Sequence, residues 1–138
     1  SDKDFAYSAP EKISKIIITN SNFLTTLENV NSEWIINGDH AANADMIDNL
    51  QVIIEKIKDE YPMPKMYAAT VNNSVIMDEG VHIQLYEGKS LKRDYYIYSS
   101  DSLDCIGLIN GKQQAYKVYM EGIPVSLCDY LSADPAFW

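Results

Sequence analysis

Residues Ser32–Pro64, SEWIINGDHAANADMIDNLQVIIEKIKDEYPMP, carry the strongest structural signal in the chain. Met46, Ile47, Leu50, Ile53, Ile54, Ile57 and Tyr61 follow helical spacing, so a 3.6-residue repeat places them on one apolar stripe. Asp45, Asp48, Asn49, Gln51, Glu55, Lys58 and Asp59 fall largely on the opposite side. Asn43 is the expected N-cap. Asp45 and Asp48 suit the positive end of the helix dipole, and Lys56 and Lys58 suit the negative end. Tyr61-Pro62 closes the helix, because a residue before proline resists helical geometry. Five or so large side chains, each worth roughly 1.5–3 kcal/mol when buried, make this long helix a lid on one sheet face.

Working outward, Ile13–Asn20 is rich in β-branched residues, Phe23–Glu28 alternates, and Glu33–Asn37 returns as a third strand, together an antiparallel meander. Beyond the helix, Ala68, Val71 and Val75 suggest a second, shorter helix within Tyr67–Glu79, ending at Gly80. Val81–Tyr86 and Leu91–Tyr98 then alternate around a turn at Glu87–Ser90. Cys105–Ile109 leads into Asn110-Gly111, a strong hairpin signal, and Ala115–Met120 pairs back. Val125–Leu131 forms a short helical turn before Asp134-Pro135. The expected fold class is therefore α+β: meander strands, one long amphipathic helix packed on a sheet, a second short helix and further C-terminal antiparallel strands. With 138 residues the chain is expected to be one domain, 1–138, opening with a polar lead over 1–12.

Composition excludes several function classes. Twenty acidic against eleven basic residues give a net charge of −9, which repels phosphate backbones, so no nucleic-acid partner is expected. No apolar run approaches the ~20 residues of a membrane span, so this segment is not expected to insert into a bilayer. Two cysteines, Cys105 and Cys128, are too few for a disulfide framework and do not form C-x-x-C. Buried free thiols and a single disulfide both remain open.

The search for chemistry finds little. Asp39-His40 with Asp45 offers ligand types without zinc spacing, and reads as a solvated turn entering an N-cap. His82 sits on the sheet face opposite Val81 and Ile83, with no nucleophile motif beside it. The acids Asp78-Glu79 and Asp101 with Asp104 fall in expected loops, and the six glycines form no phosphate loop. No catalytic residue, metal ligand or cofactor is expected. Ten tyrosines are many for this length. Tyr86, Tyr96 and Tyr98 share one face of neighbouring strands, where they either make a surface for a protein or glycan or pack across strands beneath the second helix.

The succession Trp34-Ile35-Ile36-Asn37-Gly38, Ala42-Asn43, a helix ending at Tyr61-Pro62, Gly80-Val81-His82-Ile83-Gln84-Leu85-Tyr86, Tyr95-Tyr96-Ile97, Ala115-Tyr116-Lys117-Val118 and Trp138 resembles the envelope proteins gathered as domain-of-unknown-function family 4340. Such proteins occur as lipoproteins or membrane-anchored proteins of Gram-negative gut bacteria, some beside transporter genes. The resemblance implies an envelope domain, periplasmic or surface-exposed, whose anchor lies upstream of this segment; a cytoplasmic location is the competing expectation. It carries over no catalytic residues. The expected function is a non-catalytic binding or accessory module associated with a transport complex. The alternatives are a hydrolase using His40 or His82 with nearby carboxylates, and a purely structural domain. Oligomeric state, and whether Trp138 is the native C-terminus, are left open by the sequence.

Overall fold

The computed structural model describes residues 5–62, 71–99, 105–122 and 126–138. Its nine strands are β1 (Lys15–Thr19), β2 (Leu24–Val30), β3 (Glu33–Ile36), β4 (His40–Ala41), β5 (Lys58–Pro62), β6 (Val81–Glu87), β7 (Ser90–Ser99), β8 (Cys105–Ile109) and β9 (Tyr116–Tyr119). They form one sheet in the order β4-β3-β2-β1-β6-β7-β8-β9-β5, every pairing antiparallel. This overturns the expected α+β layout of a helix-lidded meander followed by a further strand set. The two halves are continuous because β1 pairs with β6, Ile16 opposite Leu85 and Ile18 opposite Ile83. All four side chains are essentially fully buried.

The long helix is also corrected. Helix α1 spans only Ala44–Lys56, 13 residues, and Ile57 leaves it with extended geometry. Asn43 caps the start, its side chain accepting from the amides of Asp45 and Met46, and Ile47, Leu50, Ile53 and Ile54 are buried as the stripe requires. Residues 58–62 form β5 at the sheet edge, against β9. Apolar spacing could not separate the two outcomes, since Ile57 continues the apolar stripe in sequence and is fully buried although it lies outside the helix. Tertiary pairing decides: β5 covers the open edge of β9, and its proline is tolerated because an edge strand has one unpaired side. Lys58 to Glu121 at 3.1 Å and Lys117 to Glu60 at 3.6 Å bridge the pair.

Strand alternation gives the sheet two different faces. On one, Ile16, Ile18, Leu27, Ile83, Leu85, Tyr95, Ile97 and Val118 pack against α1, Phe5 and the C-terminal residues Leu127, Leu131 and Trp138. Thr25, buried on this face, donates to the Ala133 carbonyl at 2.7 Å and ties the C-terminal segment to β2. On the other face, helix α2 (Asn73–Glu79) places Ile76 against Val71, Ile106, Leu108 and Ala115, with Tyr96 and Tyr98 beside them. The second helix is thus shorter than its expected span, and Ala68 and Thr70 lie outside the described residues. The helix ends at Gly80 as expected, and that residue is extended, with φ −83°. Glycine is needed there for space, since a Cβ would sit 2.5 Å from the Ile76 carbonyl and 2.6 Å from that of Ile97.

The expected Asn110-Gly111 turn forms, closed by Lys112 N–H to the Ile109 carbonyl at 3.0 Å, with only the glycine at positive φ. Repairing begins further out, at Gly107 opposite Tyr116. The short C-terminal helical turn is a 3₁₀ segment, Leu127–Tyr130. Cys105 and Cys128 are disulfide-bonded, with Cα atoms 5.6 Å apart. Among the described residues no helix is long and apolar enough to cross a membrane.

Two outcomes test this packing. Leu50→Ala, at 1 % exposure, is expected to cost about 2–5 kcal/mol in denaturant unfolding. Burial pushes the Tyr95 phenol well above its ordinary value of 10.0. The folded chain therefore keeps a proton that the unfolded chain gives up, and stability falls as pH rises past about 10. Tyr95→Phe should flatten that alkaline loss in unfolding midpoints measured from pH ~9 to ~11, whatever it does to stability at neutral pH.

Candidate functional site

The outer face of the β6–β7 pair carries the best-organised polar group among the described residues. The register sets His82 opposite Tyr96 and Gln84 opposite Asp94, so Asp94 lies diagonal to His82. His82 Nε2 and Asp94 Oδ1 are 2.5 Å apart. The other carboxylate oxygen accepts from Asn110 Nδ2 at 3.1 Å and from Gln84 Nε2 at 3.4 Å. The imidazole stacks on the Tyr96 ring, centroids 4.3 Å apart and planes 16° from parallel. Burial raises the Tyr96 phenol above its ordinary range, and the Asp94 charge adds to it. His82 and Asp94 retain 24 % and 21 % of their side-chain exposure.

Chemically, this is an imidazole aligned by a carboxylate, the orienting half of a general-base arrangement. Among the described residues no hydroxyl or thiol hydrogen-bonds to His82. Asp94 spends its oxygens on β6 and on the β8–β9 turn, so the group clamps three strands in register. His40 stands apart on β4, four strand spacings or roughly 19 Å from β6. It and Asp39 are 80 % and 77 % exposed at 3.6 Å, and Asp45 belongs to the first turn of α1. Among the described residues no three His, Cys, Asp or Glu side chains gather as metal ligands. Asp78 and Glu79 are exposed on α2, while Asp101 and Asp104 lie outside the described residues.

The three tyrosines share the outer face but not one environment. Tyr96 and Tyr98 are half-buried against the α2 cluster. Tyr86 lies two strands from β8, opposite Lys15, whose ammonium sits 4.9 Å from its ring centroid. Half-exposed Ile17, Thr26 and Gln84 and exposed Leu24 continue the face around Tyr86. Sequence reasoning missed Asp94. Its signal was an acid placed mid-strand in LKRDYYIY, where carboxylates are depleted unless something holds them. No protein-family model matches this chain, and it matches no curated protein and no solved structure.

If the polar group is a register clamp, Asp94→Ala should lower stability by about 1–3 kcal/mol, since it strands the donors of His82, Gln84 and Asn110. A double-mutant cycle with His82→Ala should give a coupling of about 0.5–3 kcal/mol; a coupling near zero would mean the two side chains are held independently.

Proposed function

We propose that this chain is a non-catalytic binding or accessory module of a bacterial envelope protein, working outside the reducing cytoplasm on a protein or glycan partner, in company with a transport complex. The observation that carries this reading is the Cys105–Cys128 disulfide, which joins the first residue of β8 to the C-terminal 3₁₀ turn. Cys105 is 1 % exposed and Cys128 packs against the same core, so the bond is part of the interior. Disulfides of this structural kind persist in oxidising compartments and are rare where glutathione and thioredoxin keep thiols reduced. The resemblance of the Trp34-to-Trp138 landmarks to family 4340 points to the same compartment. The non-catalytic part is supported by how His82 is used: its carboxylate is engaged in holding strands together.

The disulfide closes a loop of 23 residues in sequence separation, for which chain entropy predicts a contribution of about 3 kcal/mol. Cys128→Ala should lose that much in chemical unfolding. Protein recovered from its source cells under acid quench, then unfolded and treated with a maleimide–polyethylene glycol, should gain no mass before reduction and two labels after it. Labelling without reductant would overturn the compartment assignment.

A further inference from the structure

Half of the outer sheet face is bare. Helix α2 sits on the outer side of β7 and β8, where Tyr96, Tyr98, Ile106 and Leu108 meet Ile76. In β1, β2, β3 and β6 the inward Ile16, Ile18, Leu27, Ile83 and Leu85 are buried, while no outward residue of these four strands is. The bare area is nonetheless apolar. Leu24 and Val30 on β2 and Leu91 at the start of β7 are 55 %, 50 % and 44 % exposed, three of the six large apolar side chains left exposed among the described residues. Half-exposed Ile17, Ile35 and Tyr86 join them, since the registers set Ile17 opposite Thr26, Ile35 opposite Glu28 and Tyr86 opposite Leu91 on the same side. A monomer rarely leaves more than a few hundred Å² of contiguous apolar surface in water, so such an area marks a contact site.

The patch has the dimensions of an interface. From β3 to β7 it crosses five strands, roughly 19 Å at a spacing of about 4.8 Å, and the seven residues of β2 run roughly 24 Å at about 3.4 Å each. A second sheet packed on that footprint removes on the order of 600–800 Å² of accessible area from each partner, the amount a standard dimer buries.

The charges on the face favour a second copy as the occupant. At −9 overall, most of the surface repels another copy. The bare face instead sets Lys15 directly opposite Glu28. Neither makes an ion pair among the described residues, and the Lys15 ammonium lies over the Tyr86 ring. One cation and one anion on adjacent strands make the patch complementary to itself. A two-fold axis along the β1–β2 seam exchanges the two strands, so that Lys15 of each copy faces Glu28 of the other and Ile35 faces Tyr86. Of the other carboxylates on this side, Glu33 is exposed at the start of β3, clear of the seam, and Asp94 is held by His82, Gln84 and Asn110.

We propose that two copies of this chain pair through the bare half-face, sheet on sheet, about the β1–β2 seam. Such pairing is independent of the compartment in which the chain works. Sedimentation equilibrium of the full chain, from micromolar to millimolar concentration, should show the mass rising from 15.6 kDa towards twice that value. Leu24→Glu should hold it at the monomer value, while Val52→Glu, equally open on α1 at 49 % exposure, should leave self-association unchanged. Both sites are exposed, so the circular dichroism spectra of the two variants should match the parent's and tell a folding defect from a pairing one. Lys15→Glu and Glu28→Lys should each raise the dimer dissociation constant about tenfold or more by setting like charges face to face, and the double variant K15E/E28K should restore it to within about threefold. A parent chain that stays at 15.6 kDa throughout would overturn the pairing and leave the face to a different protein. A dimer that persists in Leu24→Glu would overturn this face, and single variants that the double variant does not rescue would overturn this axis.

Discussion

The antiparallel ladder between β1 and β6 is the interaction on which the rest of the molecule depends. Ile16, Ile18, Ile83 and Leu85 meet across it and are buried on the face that α1 covers. Without that pairing, the four strands β1–β4 and the five from β6 onward in the sheet would each expose an edge and half of an apolar face. With it, α1 needs only 13 residues to cover the centre of the sheet. Phe5 presses on the backbone of Gly107 at one side, where a Cβ would lie 2.6 Å from its ring, and Trp138 closes the other.

Because a strand sends alternate side chains to opposite faces, the same ladder also sets what the outer face can hold. Tyr95 and Ile97 enter the main core, and Asp94, Tyr96 and Tyr98 must point the other way. α2 takes up Tyr96 and Tyr98, leaving Asp94 to gather His82, Gln84 and Asn110 at its margin. The most enzyme-like pair in the chain is thus a consequence of sheet register. At the opposite end of the sheet order, near the short edge strand β4, Trp34 lines a groove of about 480 Å³ between the β2–β3 hairpin and α1.

Much of the local structure was legible. The alternation of Val81–Tyr86 and of Leu91–Tyr98 marked β6 and β7, and Asn43 marked the start of α1, because caps and period-two patterns act over a few residues. The candidate site was legible only in pieces. Tyr96 and His82 could be placed on one face, yet Asp94 could not be assigned to them, since its diagonal position depends on the β6–β7 register.

By itself the sequence determined the acidic character of the chain, the apolar stripe of α1 and the two-faced pattern of the strands, all of which follow from residue type and short-range spacing. The tertiary structure decided where α1 stops, because an edge strand for β9 outweighs one more helical turn. It also decided that the two strand sets are one sheet and that Cys105 meets Cys128. Both outcomes join residues far apart along the chain, and the distance between them is set by packing that no local pattern encodes.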